Sequence, residues 1–273
     1  METRLKEVLA VVNMKGGVAK TTTVQSLAVA MMRYNKSWRV LVIDLDPQGD
    51  LSKLMGWNDS RSGQPTVTDA LASEDGRLPV YKSDRGVYFV PATLDLQNVE
   101  PEMMKQMQKL KIHPYNLLRK RLLSEVEDCT GEGIEHVYDY FDYVLMDCPP
   151  ALSMCTYNAM AAANGLLIPV QMEGLSVSGI APIIVEMASI QQDLNKSLQL
   201  RGLLPVMVDE RPKIVRGFIS RLRETYGDYV CETMIRRCVK INEAQTKKQD
   251  IYEYKPYSAI GIGYEQLCRE LFG

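Results

Sequence analysis

The sequence predicts an α/β fold, a doubly wound, mostly parallel sheet with helices on both faces. Three observations predict it. Short runs of β-branched apolar residues read as strands buried on both sides. Helical patterns alternate with those runs, which implies a parallel sheet. A Gly-rich turn and several acids fall just past the carboxyl ends of the runs, where ligands bind in such sheets.

The first strand is Val8 to Asn13 (VLAVVN). The Gly-rich turn follows, and Thr21 to Met32 then reads as a helix whose Val24, Leu27, Ala28 and Met31 form one apolar face. Arg39 to Leu45 (RVLVIDL) is a second buried strand ending in carboxylates, Val87 to Val90 a third, and Tyr143 to Asp147 a fourth, again ending in an acid. Gly165 to Val170 and Leu203 to Val208 are two more. Helical patterns occupy Ser178 to Leu194, Lys213 to Tyr226 and Gly263 to Phe272. The segment from Asn58 to Asp139 is the least patterned and reads as surface helices and loops. No repeat or low-complexity linker divides the chain, so residues 1–273 are expected to form a single domain.

Composition narrows the functional classes. No apolar run approaches the roughly 20 residues that cross a bilayer. Met1 to Glu7 is charged and lacks a signal peptide's apolar stretch, so a cytoplasmic protein is expected. Six scattered cysteines (Cys129, Cys148, Cys155, Cys231, Cys238 and Cys268) form no CxxC pair and read as reduced thiols. With only His113 and His136 as histidines, a zinc site is not expected. The net charge of −2 is uneven: Lys196 to Lys248 holds 12 Lys and Arg against 6 Asp and Glu, a local +6 that leaves −8 elsewhere. A basic segment on an acidic chain suits either an anionic polymer or a solvated helix face.

The sharpest motif is Met14-Lys15-Gly16-Gly17-Val18-Ala19-Lys20-Thr21-Thr22, between a buried strand and a helix. Glycines let backbone N–H groups converge on phosphate oxygens, and the helix points its positive end at the same phosphates. Lys20 would neutralise the β- and γ-phosphates, and the Thr21 hydroxyl would bind Mg²⁺. The common pattern GxxxxGK[ST] is not met, because Met14 and Ala19 occupy its two glycine positions. The form KGGVxKTT instead resembles the deviant Walker motif of the ParA/MinD group of P-loop ATPases. Ala19 stands where glycine is commoner there.

Three further stretches resemble ParA-type partition ATPases: Asp44-Leu45-Asp46-Pro47-Gln48-Gly49 (DxDPQG), Asp147-Cys148-Pro149-Pro150 (DCPP) and Pro91-Ala92-Thr93-Leu94-Asp95-Leu96 (PATxDL). Weaker echoes lie at Gln171 to Gly179 and at Asn242-Glu243-Ala244, so the similarity spans roughly residues 8 to 272. The resemblance implies ATP and Mg²⁺ as ligands. It implies that Gly16 to Thr22 hold the phosphates, with Thr22 at the α-phosphate. Lys15 would reach a partner subunit's nucleotide, and Asp46 would position the attacking water. Asp44 and Asp147 would stand near Mg²⁺ through waters. The family's Pro-Arg-Asn run corresponds to Arg236-Arg237-Cys238, which makes Arg236 and Cys238 the base-site candidates. A thiol cannot reproduce an amide's paired donor and acceptor.

By the same resemblance, an ATP-bound homodimer binds DNA without sequence preference near the nucleoid. A ParB-like centromere-binding partner stimulates a slow hydrolysis that releases it. Candidate DNA contacts are Lys213, Arg216, Arg221, Arg223, Lys240, Lys247 and Lys248. Only about a dozen residues precede the Gly-rich turn, so no N-terminal helix-turn-helix domain is expected. A MinD-like membrane-cycling ATPase is the nearest alternative, but it needs a basic amphipathic tail. Tyr264, Leu267, Cys268 and Leu271 instead form an apolar stripe suited to packing on the core. An iron–sulfur reductase on Cys148 and Cys155, or a kinase tail of tyrosines at Tyr252, Tyr254, Tyr257 and Tyr264, has weaker support.

Overall fold

The computed structural model describes residues 3–172, 179–209 and 213–273, with the side chains of Asp59, Lys213 and Ile214 outside that set. Five strands carry the centre: β1 (Glu7–Val11), β2 (Val40–Asp44), β6 (Tyr143–Asp147), β7 (Gly165–Gln171) and β8 (Gln199–Val206). Three short ones, β3 (Pro79–Lys82), β4 (Tyr88–Val90) and β5 (Glu127–Asp128), complete an eight-stranded sheet in the order β5-β3-β4-β2-β6-β1-β7-β8. Every neighbouring pair is parallel except β3 with β4.

The helices are α1 (Lys20–Tyr34), α2 (Asp50–Leu54), α3 (Val67–Ala72), α4 (Glu100–Leu110), α5 (Leu117–Leu123) and α6 (Val137–Tyr140). They continue with α7 (Met154–Ala162), α8 (Ile180–Asp193), α9 (Lys213–Tyr226), α10 (Val239–Thr246), α11 (Ile251–Tyr254) and α12 (Ala259–Phe272). Side chains alternate across the pleat, so each central strand feeds two cores. Leu9, Val11, Val40 and Val42 meet Val24, Leu27 and Met31 of α1 and Leu267 of α12. Val8, Ala10, Leu41 and Ile43 join the other layer, with α3, α4, α5, α7 and α8. That double burial is why β1 and β2 read as unbroken apolar runs. The stripe expected on α12 packs as foreseen: Tyr264, Leu267 and Cys268 are fully buried, and Tyr264 Oη lies 3.1 Å from Thr23 Oγ1.

The segment 58–139 departs from the sequence expectation. Besides the expected strand at Val87 to Val90, seen as β4, it contributes β3 and β5, and its helices are not merely superficial. Leu71, Met103, Leu117, Leu118 and Leu122 are all buried in the second core. The apolar stripe of α4, Met103 and Met107, is thin among charges, and β5 has two residues, too few to show alternation. Of the tyrosines weighed as a kinase tail, Tyr252 and Tyr264 are buried.

The parallel register aligns the acids. Asp147 stands opposite Val11 of β1 and Asp44 of β2. Just past β2, the DxDPQG turn is fastened to the PATxDL stretch. Ser52 Oγ donates to Asp44 Oδ2 at 2.6 Å and accepts from Ala92 N at 2.8 Å. Gly49 has φ +61°, and a Cβ there would come 2.8 Å from the Ala92 carbonyl oxygen. Gly49→Ala is therefore expected to destabilise the fold by about 2–3 kcal/mol, from the left-handed backbone plus a clash with main chain. An unchanged denaturation midpoint for this variant would show that the two segments are not locked together.

Candidate functional site

The phosphate loop is built from backbone conformation. Gly17 has φ +72°, and Ala19, the N-cap of α1, has φ 59° and ψ 29°. A Cβ on Gly16 or Gly17 would meet no protein atom within 4 Å, so packing does not require these glycines. At Gly17 the left-handed backbone does; at Gly16 the bare Cα leaves room for a ligand. Among the described residues helix α1 starts with no side-chain cap and no acid in its first turn, which leaves its amino-terminal N–H groups open to a ligand. That is an anion-binding end. The loop's entry is held by a residue sequence reasoning passed over. Buried Asn13 donates from Nδ2 to Pro169 O at 2.7 Å and accepts from Lys15 N at 2.9 Å.

Lys20 is buried, and desolvation lowers its pKa against the opposing charges of Asp147 and Asp46. Its Nζ donates to the Lys15 carbonyl at 3.1 Å. Asp147 is fully buried, and neither carboxylate oxygen has a hydrogen-bond partner within ordinary geometry among the described residues. Desolvation and then the adjacent Asp44 push its pKa well up, partly offset by the Thr21 hydroxyl and Lys20. Asp44 is likewise pushed up to about 7, chiefly by burial. The two acids differ in availability. Asp44 accepts from Ser52 Oγ and N on one oxygen and from Asp46 N on the other, so it is committed to the turn. Asp147 is an unpaired buried carboxylate beside a phosphate loop, a strong attractor for a hard cation.

A cavity of about 550 Å³ opens at Lys20, while Asp44 and Asp147 are buried behind its lining. Gly16, Gly17, Ala19, Lys20, Thr21, Thr22 and Asp46 line one side, and Asp50, Lys53 and Leu54 of α2 another. Met207, Asn242, Gln245, Thr246 and Lys248 close it. Four non-glycine residues among those described have positive φ, and three of them (Ala19, Met207 and Lys248) line this one cavity. Strained backbone of this kind concentrates where a ligand is held.

Arg236 and Cys238, the base-site candidates, are not among the lining residues. Cys238 is the N-cap of α10, and the face of α10 one to two turns on, Asn242, Gln245 and Thr246, reaches the cavity instead. The sequence carried no signal for Arg85 either. From the turn between β3 and β4 it donates to Leu54 O at 3.3 Å and Lys248 O at 2.7 Å, and pairs with Asp250 at 3.0 Å and Glu253 at 2.7 Å. One guanidinium thus ties two cavity walls together from behind.

Lys15 is exposed at the rim, its Nζ 3.4 Å from Gln171 Oε1 at the end of β7. The echo at 171–179 otherwise falls on residues 173–178, outside the described set. The seven DNA candidates do not share one element. Lys213, Arg216, Arg221 and Arg223 lie on α9, with the Lys213 side chain outside the described set. Buried Val215 and Leu222 turn Arg216, Arg221 and Arg223 outward. Arg223 pairs with Glu232 at 2.8 Å, Lys240 pairs with Glu243 at 2.7 Å, and Lys247 sits 4.9 Å from the Tyr254 ring centre. Lys248 belongs to the cavity. Cys148 and Cys155 are buried, and desolvation raises both thiols, Cys155 to about 12, which leaves them neutral.

A parallel sheet with this phosphate loop and strand-end acid defines a P-loop ATPase of the deviant Walker type. The chain belongs to the AAA_31 family, described as an AAA domain and matched over residues 6–200, and within it to the ParA/Soj-type ATPases. The chromosome-partitioning ATPase Soj of Thermus thermophilus is 33% identical over 263 residues, covering 96% of this chain and 94% of the relative. The chromosome partitioning protein ParA of Caulobacter vibrioides is 31% identical over 273 residues, covering 97% and 93%. Among solved structures, cobyrinic acid a,c-diamide synthase of Mycobacterium smegmatis with a bound ATP analogue and magnesium superposes with a TM-score of 0.76 at 28% identity, covering 97% and 93%. The cell division ATPase MinD of Pyrococcus furiosus shares the fold, with a TM-score of 0.71 at 21% identity over 96% and 97%.

Ala19 occupies a left-handed position that costs an alanine about 1–2 kcal/mol. Ala19→Gly is expected to raise stability by about 0.5–1 kcal/mol, after allowing for glycine's greater unfolded-state entropy. Urea melts of the two proteins decide it; a loss of stability would contradict the strained turn.

Proposed function

We propose that this chain is a DNA-partition ATPase that binds ATP and magnesium in the cavity above β1, β2 and β6. The observation that carries the proposal is the meeting of three features: the uncapped amino end of α1, the buried cation of Lys20 and the buried carboxylate of Asp147, for which the described residues supply no hydrogen bond of ordinary geometry. A nucleoside triphosphate with a divalent cation satisfies all three together.

In this scheme the loop amides and Lys20 hold the β- and γ-phosphates, and Thr22 stands at the α-phosphate. Thr21 and Asp147 would hold magnesium directly or through water, and the ion supplies positive charge at the phosphate oxygens. Asp44, locked to Ser52, acts mainly by setting the turn that carries Asp46. Asp46 lines the cavity half-exposed and orients the attacking water. Lys15, exposed at the rim, extends to the nucleotide of a second copy when two ATP-bound subunits meet face to face. The dimer binds DNA through phosphate contacts, with Arg216 and Arg221 the best placed. Both are exposed and make no ion pair among the described residues. A ParB-like partner would stimulate hydrolysis and release. No helix of the described residues is long and apolar enough to cross a membrane. Helix α12 buries its apolar stripe on α1, which leaves it unsuited to a MinD-like membrane contact.

Lys20→Ala is expected to abolish ATP binding in calorimetry, whereas Lys15→Ala keeps it and loses dimerisation or turnover. Normal partner-stimulated hydrolysis by Lys15→Ala would remove the cross-subunit role. Binding to plain duplex DNA should require ATP, fail with ADP or no nucleotide, and weaken steeply between two salt concentrations. Equal affinity in all three nucleotide states would eliminate the switch.

A further inference from the structure

Gln245 occupies an unusual place in the cavity. It lies on the last turn of α10, half-buried, and its Nε2 donates to Thr22 Oγ1 at 3.1 Å, across 223 positions of sequence. Among the described residues no other side-chain hydrogen bond joins α10 to the phosphate loop. A primary amide nitrogen carries two N–H groups and its oxygen accepts two bonds. Gln245 makes no other side-chain hydrogen bond among the described residues, so a second N–H remains beside the Thr22 hydroxyl.

Gln245 is also held firmly. Its carbonyl accepts from Lys248 N at 2.9 Å, and the Lys248 carbonyl accepts from Arg85 at 2.7 Å. Arg85 is in turn fixed by buried Asp250. These bonds fix the backbone from which the amide projects, and the bond to Thr22 orients the amide itself.

We infer that Gln245 is a nucleotide ligand, donating to the α-phosphate from the α10 wall opposite Lys20 and so coupling α10 to nucleotide occupancy. The inference rests on the nucleotide reading above, since Thr22 marks the α-phosphate end of the loop. ATP and ADP share that phosphate, so the contact serves both equally.

The test uses Gln245→Glu and Gln245→Lys in the full chain, with calorimetric titration of Mg·ATP and Mg·ADP. Glutamate can still accept a bond from the Thr22 hydroxyl, so the tie between α10 and α1 survives while the phosphate meets a negative charge. Lysine restores a donor. The Glu variant should fold and melt like the wild type yet bind both nucleotides about tenfold or more weakly, by the loss of a charge-assisted bond and added repulsion. The Lys variant should stay within about threefold of wild type. A Glu variant that binds ATP and ADP as tightly as the wild type overturns this inference alone. A Glu variant weakened for ATP but not for ADP overturns the α-phosphate assignment. A wild-type protein with no affinity for Mg·ATP overturns the nucleotide reading and this inference with it.

Discussion

The open amino end of α1 governs the organisation around it. A helix that begins without a cap leaves several N–H groups unsatisfied, and here no side chain among the described residues caps them. The turn that exposes them needs left-handed backbone at Gly17 and Ala19. Asn13 braces the entry to that turn, and the exit is helical at once, with Thr23 N bonded to Ala19 O at 2.8 Å. Lys20 is thereby buried beside Asp147 and Asp46, where its charge is only partly compensated. The site is built as an electrostatic deficit that a polyanion and a cation together remove.

The acids around it divide their work. Asp44 and Asp147 are neighbours in register on β2 and β6, both buried, and the charge of Asp44 raises the cost of ionising Asp147. Asp44 is stabilised by the Ser52 hydroxyl and backbone amides, and it transmits that order to Ala92 through the same hydroxyl. Neither oxygen of Asp147 has a hydrogen-bond partner of ordinary geometry among the described residues. A motif of two acids two residues apart thus becomes one structural carboxylate, Asp44, and one cavity-facing carboxylate, Asp46. Asp147 stands apart from that turn, at the end of β6.

Around this rigid core the cavity's remaining walls come from distant segments. Helix α2, the end of β8 and α10 contribute Lys53, Met207 and Gln245, and Arg85 joins the outer walls from behind. Three left-handed non-glycine residues, Ala19, Met207 and Lys248, line this cavity, the kind of strained backbone that clusters at ligand sites.

The phosphate loop, the strand-end acids, the central strands and the packing of α12 were all legible in the sequence. Each depends on local order: a glycine pair before a lysine, an apolar run buried on both faces, or a stripe at helical spacing. The buried helices of residues 58–139 were not, because their apolar positions are sparse and short strands carry no period. Nor was the wall of the cavity beyond the loop. Arg236 and Cys238 align with a family motif, yet the face of α10 that reaches the cavity begins at Asn242. Likewise nothing local marks Arg85 or Gln245, whose partners lie 163 and 223 positions away. Short-range pattern fixed the elements and the catalytic loop. Which side chains meet across the cavity was decided only when the sheet brought the carboxyl ends of its strands to one edge, since contact there depends on register and helix rotation, not on spacing along the chain.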